Sequence, residues 1–180
     1  MATPAQVDGA ANANLSIVGR HAHPKVAFGG SRGLPDARAV HFVLPRHSPR
    51  QLVERVDFVS TCAANRDDAP MLFTDLCVMR WEKDASRWRL ESIAPETTAE
   101  AVQARTGFAF DVVANLERLL DPPPDALAAL GRIDPLGLRH LHFVTGRAEQ
   151  LDAIELLYAR EAEMVGAHLV PANQRARAAR

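Results

Sequence analysis

Val26-Ala27-Phe28-Gly29-Gly30-Ser31-Arg32-Gly33-Leu34-Pro35-Asp36, followed after two residues by Ala39-Val40-His41-Phe42-Val43-Leu44, is the stretch on which the fold turns. A short apolar segment runs into a cluster of glycines. A second run, apolar apart from His41, is closed by Pro45. Such a run suits a strand covered on both faces, as in a mostly parallel sheet. Glycines between two strand-like segments let the backbone adopt positive φ and approach a ligand closely.

Upstream, the apolar run 15–18 ends at Gly19 and reads as a strand. Downstream, 51–53 reads as a helical turn or irregular piece, and 56–60 as another strand. Residues 72–81 and 87–93, joined by Lys83-Asp84-Ala85-Ser86, read as an antiparallel hairpin with a longer loop. In its second arm Trp88, Leu90 and Ser92 alternate with Arg87, Arg89, Glu91 and Ile93. Thr97 with Glu100 three residues later has the form of a capping box opening a helix over 98–106, stopped by Gly107. A strand over 108–113 follows. After Pro122-Pro123-Pro124, Asp125 caps a short helix to Leu130. Residues 147–165 form an amphipathic helix with Leu151, Ile154, Tyr158 and, slightly off the stripe, Leu157 on one face. The sum is an α/β fold: an open, mostly parallel sheet with an antiparallel hairpin and a C-terminal helix. The expected division is 1–146 for the sheet domain, 147–166 for the helix and 167–180 for a disordered, Ala/Arg-rich tail.

Composition narrows the function classes. The chain has 180 residues, 47% hydrophobic and 24% charged, enough for one domain with a real core. A net charge of −1 supplies no long-range field for nucleic acid or anionic lipid. Cys62 and Cys77 make no disulfide framework and no Cys-x-x-Cys pair. Residues 1–8 lack the basic segment and apolar run of a signal peptide, and no apolar stretch is long enough to span a bilayer, so the cytoplasm is the expected location.

The glycine segment is the main chemical candidate. Successive N–H groups in such a turn form an anion-binding concavity able to hold a phosphate, a carboxylate or a developing oxyanion. Arg32 adds a permanent cation with bidentate geometry. The spacing is neither Gly-x-Gly-x-x-Gly nor a phosphate loop ending in Gly-Lys-Ser/Thr, so dinucleotide or nucleoside triphosphate binding is unsupported. A tight structural turn with an exposed arginine explains the same residues. His21 with His23, and His140 with His142, each form half of a metal site, but no third ligand is placed, so no metal and no cofactor is expected. Glu54 and Asp57 can be read as an acid pair, or as hydrogen-bonding partners at a strand start. Cys62 lacks a histidine motif and reads as an inert thiol.

Several motifs, in order, resemble the β subunit of class I CoA-transferases, in particular the glutaconate CoA-transferase type, and related β subunits that hydrolyse a ring in steroid-derived CoA thioesters. They are Ala5-Gln6-Val7-Asp8 with Asn12-Ala13-Asn14, His23-Pro24-Lys25-Val26, Gly30 to Asp36, His47-Ser48-Pro49-Arg50, and Leu52 to Ser60. Thr74-Asp75-Leu76-Cys77-Val78-Met79, Leu90 to Pro95, Thr106-Gly107-Phe108, and Ile133-Asp134-Pro135 with Leu138-Arg139 continue the order. The resemblance implies the CoA-transferase type of sheet. It also implies an acyl-CoA thioester as substrate and a hetero-oligomer with an α-type subunit. Gly29, Gly30, Arg32 and Gly33 would be the oxyanion and catalytic loop, with Ser31, Asp36 and Asn14 in substrate binding. Two departures stand out. Ala11 occupies the place of a family glycine, and the family's Ser-Glu-Asn-Gly motif with its nucleophilic glutamate does not occur, as in a chain truncated at its N-terminus. Arg32 looks more like the hydrolase branch. The expectation is therefore a CoA-transferase component inactive alone. A CoA-thioester hydrolase component and a non-catalytic assembly subunit are the alternatives.

Overall fold

Cys77, Met79 and Trp81 alternate with Val78, Arg80 and Glu82, and this period of two drives the central hairpin of the fold. In the computed structural model, which describes residues 1–28, 37–144 and 146–165, the chain divides into Met1–Leu120 and Asp121–Arg180. The first unit holds β1 (Gln6–Val7), β2 (Asn12–Asn14), β3 (Ile17–Arg20), β4 (His23–Ala27), β5 (Phe42–Leu44), β6 (Thr61–Cys62), β7 (Met71–Thr74), β8 (Cys77–Glu82) and β9 (Arg87–Ile93). Helix α1 (Ala99–Gln103) and β10 (Asp111–Arg118) complete it. The second unit holds α2 (Pro124–Ile133), a 3₁₀ helix at Leu138–Phe143, and α3 (Arg147–Val165).

The main sheet has the order β10-β9-β8-β7-β5. Its two outer pairings, β10 with β9 and β7 with β5, are parallel; the two inner ones are antiparallel. The expected α/β class, the hairpin and the C-terminal helix are all present, in a mixed sheet. Trp81 sits opposite Trp88, with the rings edge to face at 5.5 Å, and Phe42 tilts against Trp88 at 6.4 Å. Separately, β1-β2-β6 form a small antiparallel sheet, and β3-β4 a hairpin.

Local chemistry explains where the elements depart from the pattern read in the sequence. The expected alternation in Arg87–Ile93 fails at its end: Ile93, not Ser92, is buried. The register slips between Val78 and Met79, so Val78 faces Ser92 while Met79 faces Leu90. The extra residue of this bulge, Glu91, turns Ile93 back to the core. The run 72–81 is not one strand. The Thr74 hydroxyl accepts from the Leu76 and Cys77 amides at 3.1 and 3.0 Å, which folds the chain back between β7 and β8. The segment 56–60 forms no strand either, because side chains take its amides: Val56 donates to Asp8 and Asp57 donates to Gln6. Thr98, not Thr97, caps α1 by accepting from the Ala101 amide at 3.2 Å. Pro123, not Asp125, is the N-cap of α2, with proline in its first turn. Helix α3 has the expected bounds. The apolar runs 15–18, 39–44 and 108–113 become β3, β5 and β10 with shifted ends.

Candidate active site

Two turns of the first unit are fixed by side chains accepting backbone hydrogen bonds. In the first, Asp8 accepts from the amides of Ala10 and Asn12, each at 3.0 Å, and from the Asn12 side chain at 3.1 Å. This network holds Ala11 at φ 56°, a left-handed conformation, with its methyl fully buried. That explains why the resemblance has glycine there: only a residue without Cβ adopts this φ freely. The Trp88 indole N–H donates to the Asp8 carbonyl at 3.0 Å and ties the turn to the main sheet.

The second turn is His47-Ser48-Pro49-Arg50. His47 is almost completely buried. Its amide donates to Asp75 at 2.6 Å, and its ring lies between Thr74 Oγ1, 3.0 Å from Nδ1, and Thr106 Oγ1, 2.8 Å from Nε2. The hydroxyl of Thr106 donates to the Val102 carbonyl at 2.8 Å. Thr106 Oγ1 must then accept from His47 Nε2–H, which assigns the proton to Nε2 and leaves Nδ1 as acceptor for Thr74. Burial, reinforced by the positive charge of Arg105 and opposed by Asp75, lowers the His47 pKa to about 4. The ring is neutral at pH 7 and works as a pin. Cys77 Sγ lies 3.6 Å from His47 Nδ1, but burial raises its pKa to about 11, so no thiolate forms there at neutral pH. Past the pin, Gln51 and Leu52 donate to the Ser48 carbonyl at 3.0 and 2.9 Å, and Val7 donates to the Gln51 carbonyl at 2.7 Å. Arg50 therefore sits on a backbone held from both sides.

Beside Arg50 opens a cleft of about 500 Å³. Pro4, Ala5, Leu15, Val18 and Phe28 form its apolar wall, and Thr3, Arg50 and Gln51 bring polar groups to it. Phe28 is the residue immediately before the glycine segment. Its amide donates to the Ser16 carbonyl at 2.7 Å, and Ser16 and Ser60 share a hydroxyl hydrogen bond of 2.7 Å.

Of the residues singled out in the sequence, Gly29, Gly30, Ser31, Arg32, Gly33 and Asp36 lie outside the described residues. Asn14 is fully buried beside the cleft. Its amide nitrogen donates to Gln6 Oε1 at 2.8 Å and to the Ile17 carbonyl. Its oxygen accepts from the amides of Ser16 and Ile17 at 3.1 and 3.2 Å. Every polar position of that side chain is thus engaged within the protein. Asp57 joins the same network, accepting from Gln6 at 3.1 Å and from the Gly19 amide at 2.8 Å, while Glu54 is exposed. His21 stacks on Phe58 at 5.9 Å. Among the described residues no three metal-ligating side chains gather, and no helix is long and apolar enough to cross a membrane. The sequence reading missed the His47 pin. The signal lay in three motifs quoted separately for the resemblance, those containing His47, Thr74 and Thr106, which the fold brings together.

Known proteins similar in sequence or fold supply the wider context. The chain is 27% identical over 146 residues to the β-type subunit of the 3-oxoadipate CoA-transferase of Pseudomonas knackmussii, covering 72% of this chain and 56% of that one. It is 28% identical over 148 residues to the β-type subunit of the glutaconate CoA-transferase of Acidaminococcus fermentans, covering 73% and 55%. The solved structure of the decarboxylase AibA/AibB matches with a TM-score of 0.67 and 32% identity, covering 77% of this chain and 57% of that one. No family model matches. By sequence the chain is similar to the B subunits of CoA-transferases, and its fold is also that of the solved glutaconate CoA-transferase. It spans little more than half the length of the curated relatives it matches.

Proposed function

We propose that this chain is the β-type component of a CoA-transferase acting on acyl-CoA thioesters, paired with an α-type subunit and inactive alone. In this reading the amides of Gly29, Gly30 and Gly33 stabilise the thioester oxyanion, a contribution of about 2.7–4 kcal/mol per donor. Arg32, Ser31 and Asp36 line the substrate's path, and Asn14 holds the turn beside the cleft. The observation that carries the reading is the half-apolar cleft whose wall ends at Phe28, the residue leading into the glycine segment. Such a concavity, apolar with a few convergent polar groups, is the usual form of a small-molecule site. Thioester exchange through a carboxylate further requires a nucleophile. None of the resemblance's nucleophile motif is present in this sequence, so that group is assigned to the rest of the assembly.

A second reading has the same site work without an acceptor acid, by hydrolysis or decarboxylation. It is favoured by the 32% identity to the decarboxylase AibA/AibB. One experiment separates the readings. The chain is co-expressed with a candidate α-type subunit, and the purified complex and the chain alone are given acyl-CoA with and without an acceptor acid, products being followed by mass. New acyl-CoA formed by the complex only in the presence of acceptor establishes the transferase. Free CoA without acceptor indicates hydrolysis, and a thioester lighter by carbon dioxide indicates decarboxylation. Transfer by the chain alone overturns the proposed division of labour.

A further inference from the structure

We infer that Arg50 is the anion-recognising residue of the cleft, receiving an oxyanion group carried by the thioester; this rests on the acyl-CoA reading above. Three observations converge on it. Unlike Arg38, Arg80, Arg87, Arg89 and Arg139, Arg50 makes no ion pair among the described residues; Arg20 and Arg55 make none either, but they do not line the cleft. Arg50 lines a cleft whose wall is largely apolar. A chain of net charge −1 has no general basic field that would account for a cation there.

The second observation is rigidity. Arg50 is three residues from His47, whose ring is clamped by Thr74 and Thr106, and its neighbour Gln51 is bonded to Ser48 and Val7. Binding therefore has to order only the arginine side chain, which keeps the entropic cost of capture low. The third is chemistry. The planar fork of arginine matches a carboxylate or a phosphate with two parallel hydrogen bonds. A cleft of about 500 Å³ admits the slender acyl or pantetheine portion of a thioester alongside its apolar wall. The shared ligand chemistry is thus an oxyanion at the end of a largely apolar arm. Its two sources are a terminal acyl carboxylate and the phosphates of CoA.

The test measures equilibrium binding of glutaryl-CoA and butyryl-CoA to the reconstituted complex carrying wild-type, Arg50→Ala or Arg50→Lys chain. Because Arg50 is exposed and makes no ion pair among the described residues, both variants should melt at the wild-type temperature. The alanine variant should weaken glutaryl-CoA at least tenfold, and the lysine variant less, since it keeps charge without the fork. If butyryl-CoA is unaffected, the anion is the acyl carboxylate; if it weakens equally, the anion is on CoA. Changes below twofold for both thioesters, with wild type binding them, overturn the role of Arg50 and leave the family reading intact. Wild-type complex that binds neither thioester overturns both.

Discussion

In the unit Met1–Leu120, Trp88, Phe42, Leu72 and Leu90 are sealed completely from solvent, whereas in Asp121–Arg180 none of the ten residues of α2 is buried and Ile133 is 81% exposed. Both units carry amphipathic sequence. The difference lies in what each apolar face meets. Alternating side chains in a sheet find partners across strands far apart in sequence, as Trp88 finds Phe42. In the second unit no residue of α2 is buried, and the contact between α3 and the 3₁₀ helix is too small to enclose a core. The sheet unit should therefore hold nearly all the stability that a single-residue change can remove. The residues that line the cleft all belong to that unit, so the cleft depends on its stability.

The largest effect sharpens the comparison at its centre. Trp88→Ala should destabilise the sheet unit by about 3–5 kcal/mol, the range for deleting a large buried aromatic. It removes the edge-to-face contact with Trp81 and leaves the Asp8 carbonyl without its indole donor. Urea unfolding followed by circular dichroism reads this directly. A cost below about 1 kcal/mol would mean that the ring is not enclosed, and the contrast between the units would fail.

A smaller effect comes from His47 and depends on pH. The ring is held neutral in the fold, with its pKa lowered to about 4 chiefly by burial. In the unfolded chain it titrates near its ordinary value of 6.5. Above 6.5 both states are neutral and the fold has its full stability. Between 6.5 and 4 only the unfolded state takes up the proton, so stability falls as the medium is acidified, by at most about 3 kcal/mol from this one group. Below 4 the contribution levels off. Stability of wild type and of His47→Gln should be measured at intervals from pH 8 to pH 4. The variant starts lower, having lost the clamp between Thr74 and Thr106, but its curve should be flatter across that window. Parallel curves would show that His47 is not the buried neutral pin.

Much of the sheet unit was legible in the sequence because its signals are local. Alternation read in Arg87–Ile93 and the loop at 83–86 set the hairpin, and the apolar positions Leu151, Ile154 and Tyr158 set α3 with its observed ends. What escaped reading was the work done by polar side chains across long separations. The bulge at Glu91 flips Ile93 inward, yet nothing in Arg87–Ile93 alone announces an extra residue. Val56 and Asp57 look like strand residues but give their amides to Asp8 and Gln6, some fifty positions away. The His47 clamp likewise joins residues 27 and 59 positions apart. The glycine segment lies outside the described residues, and the cleft whose wall ends at Phe28 escaped reading because that wall combines 3–5, 15–18 and 50–51.

The smallest effect tests the helical side of the comparison. Ile133 is the last residue of α2 and its side chain is 81% exposed, so truncating it opens no cavity and removes little apolar area from a packed environment. Alanine also has the higher helix propensity, which offsets the small loss of contact. Ile133→Ala should accordingly shift the stability of the isolated chain by no more than about 0.5 kcal/mol in either direction. The same urea titration used for Trp88 measures it, so the two values stand on one scale. A loss above about 1 kcal/mol would place Ile133 against a covering surface in solution. The helical unit would then have an enclosed apolar face of its own, and the contrast with the sealed core of Met1–Leu120 would fail.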